Sequence, residues 1–400
     1  MSDRPGIGIL GLGARMAAVV GQMLPRLNSA RVVAICDPDR DRTARRLKDL
    51  DLQDVRHFGN ARSLVQDPAV QWVFVGSTNN LHAEHICLAL EAGKHVFCEK
   101  PLCVSLDECE RVQRAVARSE ARLALGFVLR YSPHYQKVKR LLEQGTCGQI
   151  ISFEFNETLA FNHGGYILAD WRRLRRFAGT ALLEKCCHDI DLACWLVGSR
   201  PTHVASFGGL AFFTPRNAHH MDRLGTNANG RRAYQAWEST TGLNPFNSDK
   251  DTEDHQVVIF EFENGVRATF HMNFHAAIPE RRMYFCGTEG ALRANVVSGQ
   301  IQAARVGFNE TIRDESLGVT DGHGGGDEML GAELADMIEH DAPPRASFAE
   351  GMISTVASLG IDEAMRNRTV VDLRPTWQKL DLLDLGQIDA PRTHRQSCPS

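Results

Sequence analysis

Short apolar runs alternate with amphipathic stretches along the first 125 residues of the chain. Short runs rich in Val, Ile, Leu and Phe are typical of buried strands, whereas apolar positions three and four apart are typical of helices. This alternation predicts a parallel sheet covered by helices, and right-handed crossovers give it a doubly wound topology. The predicted strands are 7–10, 31–36, 72–75, 95–97 and 123–127, and the predicted helices are 14–23, 40–49, 81–92 and 106–119.

The pattern changes after residue 126. Alternating apolar positions predict successive antiparallel strands, and Asn264-Gly265 is typical of a hairpin turn. We therefore expect an open, mostly antiparallel sheet with helices on one face. Because the bare face needs a cover, we also expect a homodimer or homotetramer. The predicted strands are 150–157, 257–262, 266–274 and 282–287, and the predicted helices are 131–143, 181–195, 328–340 and 347–367.

The chain is too long for one ordinary hydrophobic core, so its 400 residues predict more than one domain. We expect an α/β, doubly wound domain over residues 1–126, an α+β domain over 127–388 and a flexible tail over 389–400. Residues 215–253 are polar and without clear periodicity. Loops of that length are usually functional or disordered.

Composition excludes several classes of function. The net charge of −4 offers no basic excess for nucleic acid, and no apolar run is long enough to cross a bilayer. The N-terminal residues lack the features of a signal peptide, so we expect a cytoplasmic protein. The eleven cysteines include no C-x-x-C pair, which favours buried thiols over disulfides and predicts no metal site.

A glycine turn follows the first predicted strand and opens the first predicted helix. Gly11 permits a tight turn, and Gly13 lets the backbone approach a pyrophosphate at the helix N-terminus. Met16 occupies the place of the third glycine in the usual fingerprint. Asp37, at the end of the second strand, suits the ribose hydroxyls of NAD, although Arg40 and Arg42 leave NADP possible. The residues expected to bind the dinucleotide here are Gly11, Gly13, Ala14, Arg15, Met16 and Asp37.

Two further segments carry candidate chemistry. Glu99-Lys100-Pro101 stands at the carboxyl end of a predicted parallel strand, where doubly wound sheets bind ligands, and a lysine there can polarise a hydroxyl. Glu184 and His188 are four residues apart, so a helix places them on one face, with Asp191 on the same side. Carboxylate, imidazole and carboxylate in a row can orient a general base, although an ion cluster on a helix face is an alternative.

These segments, in this order, resemble the glucose–fructose oxidoreductase/inositol dehydrogenase (Gfo/Idh/MocA) family across nearly the whole chain. Further similar pieces are residues 78–82, 92–96, 145–150 and 322–327. The chain departs from the family pattern at Glu184, where aspartate is usual, at Cys186, where glycine is frequent, and at Leu129, where many members have asparagine.

The resemblance implies an NAD(P)-binding Rossmann domain followed by a substrate-binding and oligomerisation domain. It implies that Lys100 contacts the reacting hydroxyl, that His188 accepts its proton and that Glu184 completes the catalytic set. Thr78, Asn79, His82, Glu99 and Lys100 are then expected to contact the cofactor. The residues expected to line the substrate pocket are Lys100, Arg130, His163, Trp171, Glu184, His188 and His323.

The expected reaction is oxidation of a secondary hydroxyl of a sugar, glycoside or cyclitol, or the reverse reduction. His188 takes the proton, Lys100 stabilises the alkoxide, and the hydride passes to the nicotinamide. Two alternatives remain at this point. One is a glycosidase that keeps NAD bound and cleaves by transient oxidation and elimination. The other is a non-catalytic protein that senses a sugar or NAD.

Overall fold

The computed structural model describes residues 4–237, 241–318 and 322–380. Its first part is a six-stranded parallel sheet with strand order β3-β2-β1-β4-β5-β6, which confirms the doubly wound fold. The elements are β1 (Gly6–Leu10), α1 (Ala14–Met23), β2 (Arg31–Cys36), α2 (Arg40–Asp49), β3 (Arg56–His57), α3 (Ala61–Val65), β4 (Trp72–Val75), α4 (His82–Glu91), β5 (His95–Cys98), α5 (Leu106–Arg118) and β6 (Leu123–Leu125).

A nine-stranded sheet forms the second part, with order β14-β13-β12-β11-β7-β10-β9-β8-β15. Its pairings are antiparallel except for the parallel pair of β7 and β10. The elements are α6 (Pro133–Glu143), β7 (Ile150–Ala160), α7 (Phe161–Ala169), α8 (Arg175–Ala178), a π-helical turn (Leu182–Cys186), α9 (Cys187–Val197), β8 (Pro201–Gly209), α10 (His219–Leu224), β9 (His255–Phe262), β10 (Arg267–Ala276), β11 (Arg282–Gly287), β12 (Gly290–Asn295), β13 (Gln300–Arg305), β14 (Arg313–Asp314), α11 (Gly326–His340), α12 (Phe348–Asn367), β15 (Val371–Asp372) and α13 (Arg374–Lys379).

The hairpin between β9 and β10 turns at Asn264-Gly265 as predicted, with Gly265 in the left-handed region at φ +82°. One face of the sheet is covered by α9 and α12. On the opposite face, Phe207 of β8 lies beside Val257 of β9, and Ile259 lies two residues further along. These three side chains are 65%, 48% and 61% exposed, so the bare apolar face expected from the sequence is present.

The chain returns from the second sheet to the first. Helix α11 packs against α1, and α12 packs against α5 and β6 as well as against β8 and α9. The Glu339 carboxylate accepts hydrogen bonds from the backbone N–H groups of Asn28, Ser29 and Ala30. The domain boundaries at 126 and 388 stay predictions, and residue 388 and the expected tail at 389–400 lie outside the described residues.

The polar segment 215–253 is anchored in the structure at least in part, although residues 238–240 lie outside the described chain. It contributes α10, and it adds Tyr234 and Phe246 to an aromatic cluster with Phe212 and Phe213. The ring of His275 stacks on Phe212 with a centroid distance of 3.5 Å. Within the part of the chain that the structure describes, no helix has the length and apolar character needed to span a membrane.

Close contact between β1, α1 and β4 shapes the glycine turn. A Cβ atom on Gly76, just beyond β4, would lie 2.7 Å from both the Gly11 carbonyl oxygen and the Met16 Cβ. The third glycine of a dinucleotide fingerprint normally permits this close packing between helix and strand. Here the helix carries buried Met16, and the glycine stands opposite it at the end of the neighbouring strand.

We predict that Gly76→Ala lowers the free energy of unfolding by about 1–3 kcal/mol, because the added methyl group overpacks a contact that includes backbone. Gly59→Ala is the matched control, since a Cβ there meets nothing within 4 Å. Chemical denaturation of both variants and the parent chain measures the effect. Equal stability of the two variants would contradict this account of Met16.

Candidate active site

The glycine turn presents an open backbone surface. Gly11 is in the left-handed region at φ +86°, and its N–H donates to the Cys36 carbonyl at 2.9 Å. Gly13 is the N-cap of α1, and no side chain caps the helix there. A Cβ on Gly13 would approach only the Gly76 carbonyl oxygen, at 3.8 Å. The free end of α1 therefore suits an anionic group at close range.

Asp37 is fixed at the end of β2. Its carboxylate accepts hydrogen bonds from the Leu12 N–H at 2.9 Å and the Asp39 N–H at 2.8 Å. The Arg42 guanidinium lies 3.2 Å from Asp37 and 3.3 Å from Asp39. The carboxylate is thus held beside the glycine turn, and Arg42, one of the two arginines that the sequence offered for a 2′-phosphate, is already in ion pairs.

Asn79 and His82 support the site within the protein. The Asn79 amide donates to the Ala178 carbonyl at 2.9 Å. The His82 ring lies between the carbonyls of Pro101 and Ser77, at 2.7 and 3.2 Å. Both side chains hold neighbouring backbone in place, and their contact with a cofactor stays a prediction.

Thr78 opens the same loop, and its hydroxyl donates to the Asn80 side-chain oxygen at 2.8 Å. The first turn of α1 places Ala14 next to Gly13. The contact of Thr78 and Ala14 with a cofactor stays a prediction as well.

Glu99 and Lys100 follow β5 and enter the space between the two sheets. The Glu99 carboxylate accepts hydrogen bonds from Arg15 Nε at 2.9 Å and from the Lys100 N–H at 3.3 Å. The peptide bond between Lys100 and Pro101 is cis. A Cβ on Gly126, just beyond β6, would lie 3.0 Å from the Glu99 carboxylate, so the glycine leaves close room for that side chain.

Lys100 joins the two sheets chemically. Its Nζ donates to the backbone carbonyl of Glu184 and lies 3.5 Å from the Glu184 carboxylate oxygen Oε1. Both side chains are largely buried. The Lys100 ammonium, just beyond the end of β5, is therefore held by Glu184, which precedes α9 in the second part of the chain.

The Glu184 carbonyl belongs to a π-helical turn, Leu182–Cys186. The sequence predicts one regular helix over 181–195, and the structure corrects this to a π-turn followed by α9. A π-turn has i to i+5 hydrogen bonds and is frequent at functional sites. It also changes the spacing of side chains around the helix, so the four-residue interval from Glu184 to His188 no longer gives a simple shared face.

The Glu184 carboxylate lies in a strongly cationic setting. It accepts a hydrogen bond from Arg172 Nε at 3.0 Å. Burial favours a higher pKa for this carboxyl, but the Lys100 and Arg172 cations outweigh burial and hold the pKa below its usual range. Glu184 is therefore ionised and suits a hydroxyl donor.

His188 is buried, and its Nδ1 has no hydrogen-bond partner among the described residues. Its ring contacts Phe127 edge-on at 6.0 Å between centroids, and the His323 ring lies at 6.4 Å. Burial first, and then the Lys100 ammonium, lower its pKa well below the ordinary value. The imidazole is therefore neutral near pH 7 and able to accept a proton.

The predicted row of carboxylate, imidazole and carboxylate is wrong. Asp191 forms two hydrogen bonds of 2.8 Å with Arg130 instead of contacting His188. Arg130 is itself buried and faces the Trp195 ring at 5.4 Å. A buried guanidinium needs a carboxylate partner, and this requirement takes Asp191 away from the imidazole. The predicted contact of Arg130 with a substrate stays a prediction.

A second buried ion cluster supports the same helix and was missed by the sequence analysis. Asp189 accepts two hydrogen bonds of 2.8 Å from Arg281, and Glu157 lies 2.5 Å from that guanidinium. Lys185 lies 3.2 Å from Glu157. The partners are far apart in the sequence, so local patterns carry no signal for the cluster.

The outer part of the site is aromatic. The Arg172 guanidinium lies over the Trp171 ring at 4.5 Å. His163 contacts Trp237 edge-on at 4.8 Å, and burial with nearby cations lowers the pKa of His163 well below its usual value. Trp237, in the polar segment, was not a sequence candidate. Among the described residues, no group of three or more His, Cys, Asp or Glu side chains is arranged to hold a metal ion.

Two family models match the chain. "Oxidoreductase family, NAD-binding Rossmann fold" matches residues 6–127, and "GFO/IDH/MocA C-terminal domain" matches residues 135–293. Among curated proteins, YteT of Bacillus subtilis is 24% identical over 77% of this chain and 81% of its own length. An inositol 2-dehydrogenase of Gluconacetobacter diazotrophicus is 32% identical over 48% of this chain and 54% of its own length.

Solved structures share the fold. Levoglucosan dehydrogenase in complex with NADH and levoglucosan superposes with a TM-score of 0.75 at 21% identity, over 93% of this chain and all of that one. The apo scyllo-inositol dehydrogenase of Lactobacillus casei gives a TM-score of 0.70 at 21% identity, over 93% and 99%. At this identity the likeness concerns the fold, including both sheets.

We predict that His188 remains neutral at pH 6.5, because burial and nearby cations disfavour the imidazolium. Histidine-selective ¹³C NMR, assigned with His188→Asn, follows the titration. Lys100→Met removes a neighbouring cation and should raise the pKa of His188, whereas Lys48→Met, at an exposed position, should not. A His188 signal already half protonated at pH 6.5 in the parent chain would refute the assignment.

Proposed function

The chain belongs to the Gfo/Idh/MocA family of NAD-binding oxidoreductases, and we propose that it transfers a hydride between a nicotinamide cofactor and a secondary hydroxyl or ketone of a sugar or cyclitol. The observation that carries the proposal is the meeting of Lys100 and Glu184 beside neutral His188 at the carboxyl end of β5. The names of relatives that act on inositol and levoglucosan support the substrate class.

The residues present fit a dinucleotide. Gly13 leaves the free N-terminus of α1 open to close approach, and buried Arg15 Nη2 has no hydrogen-bond partner among the described residues. We propose that Gly11, Gly13 and Arg15 hold the pyrophosphate and that Asp37 binds the ribose hydroxyls. The ion pairs of Arg42 with Asp37 and Asp39 favour NAD over NADP.

When bound, the nicotinamide supplies the hydride acceptor. His188 takes the proton of the reacting hydroxyl, because its imidazole is neutral and its Nδ1 has no hydrogen-bond partner in the described part of the chain. Lys100 stabilises the negative charge that develops on the oxygen, and Glu184 accepts a hydrogen bond from a neighbouring hydroxyl. Arg172 keeps Glu184 ionised and in place. His163, Trp171 and His323 complete the proposed substrate pocket.

We predict that the purified protein reduces NAD with at least one member of a panel of myo-inositol, glucose and levoglucosan. Lys100→Ala and His188→Ala should each lower kcat by about 10²–10⁴-fold, the usual contribution of a positioned acid–base or electrostatic group. Absorbance of the reduced cofactor, with NAD and separately with NADP, gives the rates. The exposed control variants Lys48→Ala and His219→Ala should keep parent rates.

Retention of activity in either Lys100→Ala or His188→Ala would reject the assigned roles. Turnover of a glycoside without net reduction of added NAD would instead support the elimination mechanism. Cofactor binding with no turnover of the polyols or of glycosides would support a sensor.

We also propose that the bare face of the nine-stranded sheet joins two or more copies of the chain. Phe207, Val257 and Ile259 form an exposed apolar patch on adjacent strands, and burial of such a patch favours association. Whether the assembly is a dimer or a tetramer, and its cytoplasmic location, stay predictions.

Ile259→Lys should dissociate this assembly, because association would bury an unpaired ammonium. Light scattering coupled to size exclusion should then give the 44.4 kDa mass of a single chain, against a multiple of it for the parent. Phe308→Lys is the control, because Phe308 is fully exposed and lies outside the sheet face. A parent protein that is already a single chain would reject the interface.

A further inference from the structure

A continuous set of polar contacts links the glycine turn to the histidine that faces His188. His323 Nδ1 lies 2.7 Å from Asp327 Oδ2, and the other carboxylate oxygen of Asp327 accepts a hydrogen bond from Arg15 Nη1. Arg15 Nε donates to Glu99 at 2.9 Å. At the far end, the rings of His323 and His188 lie 6.4 Å apart between centroids.

Arg15 connects these contacts to the glycine turn. It is the second residue of α1, next to the open backbone at Gly13. Its guanidinium has five N–H donors in a fixed plane. Nε binds the Glu99 carboxylate, and Nη1 binds the Asp327 carboxylate. The remaining nitrogen, Nη2, is buried and has no partner among the described residues. A bound anion would therefore find an unused donor on the group that already holds Asp327.

The contacts cross between the two parts of the fold. Arg15 and Glu99 follow strands of the parallel sheet, whereas His323 and Asp327 begin the segment of α11 that returns from the second sheet. Asp327 is shared between a cation on one side and an imidazole on the other. Burial opposes ionisation of Asp327, but His323 and Arg15 hold its pKa below the usual range. A change in the position of Arg15 must therefore alter the contact between the Asp327 carboxylate and the His323 ring.

We propose that Arg15 is a positioning residue. When an anion occupies the glycine turn, Arg15 changes the contacts of His323 and, through them, the surroundings of His188. Arg15 Nη2 would donate to a pyrophosphate held at the turn, and the guanidinium would then move relative to Asp327. His323 would adjust in turn, because its Nδ1 contacts the same Asp327 carboxylate. The substrate pocket is thereby adjusted when the cofactor is in place. This inference rests on the cofactor part of the proposed function and not on the identity of the polyol.

ADP-ribose is a suitable ligand for the test, because it carries the pyrophosphate and both riboses but lacks the nicotinamide ring. Histidine-selective ¹³C NMR of the full chain, with the His323 signal assigned by His323→Asn, reports the imidazole directly. Saturating ADP-ribose should shift the His323 signal in the parent protein. The shift should be lost in Arg15→Gln and in Asp327→Asn. It should be intermediate in Arg15→Lys, since a lysine offers a point charge without the planar fork.

A neighbouring ion pair provides the matched control. Arg26 binds Glu328 at 2.9 Å, so it also joins the region after α1 to α11, one residue beyond Asp327, but at the exposed surface. Arg26→Gln should leave the ADP-ribose shift of His323 unchanged. Calorimetric titration of each variant establishes that ADP-ribose is saturating, and circular dichroism establishes that each variant is folded.

The outcomes separate the two levels of inference. Binding of ADP-ribose without a shift of His323 in the parent, or with a shift that persists in Arg15→Gln or Asp327→Asn, would overturn the link and leave the proposed function standing. Failure of both ADP-ribose and NAD to bind the parent chain would reject the cofactor site and the link together. Loss of the shift in both variants, with Arg26→Gln unaffected, is the expected result.

Discussion

The hydrogen bond from the Lys100 ammonium to the backbone carbonyl of Glu184 is the contact on which the arrangement of the site depends. It joins the end of a strand in the parallel sheet to a π-helical turn above the other sheet. A buried ammonium requires acceptors, and the π-helical turn supplies one in the Glu184 carbonyl. The placement of Lys100 against the second part of the chain therefore meets a chemical requirement as well as apolar packing.

The same requirement explains how charge is distributed around α9. Asp189 and Asp191 are held by Arg281 and Arg130, and removing one partner of such a buried pair typically costs about 3–5 kcal/mol. These pairs fix both sides of the helix segment that carries His188. The imidazole between them keeps Nδ1 without a hydrogen bond among the described residues. A neutral imidazole held among buried ion pairs is suited to a proton-transfer role.

Local patterns predicted much of the fold because most of its elements are long enough to show their periodicity. The bounds of α1, α2, β2, β4 and β11 agree with the predicted ranges. The two-residue strand β3 has no periodicity to detect, and the strands β8, β12 and β13 were missed because their apolar residues are interrupted by glycine, polar or charged residues. Lys100, Glu184 and His188 could be named as candidates because they stand in recognisable segments, and their catalytic roles stay a prediction. The partners Arg281 and Asp189 are joined only by tertiary folding, so no spacing rule identifies them.

The departure from the family pattern at Glu184 is tolerated for a related physical reason. The acceptor at hydrogen-bonding distance from Lys100 is the backbone carbonyl of residue 184, which any amino acid provides, while the carboxylate is at the longer distance of 3.5 Å. The additional methylene of glutamate moves the carboxylate relative to an aspartate without removing the contact that fixes the lysine. Arg172 then binds the longer side chain at 3.0 Å. The contact that fixes Lys100 is therefore insensitive to this substitution, whereas the reach of the carboxylate into the candidate site is sensitive to it.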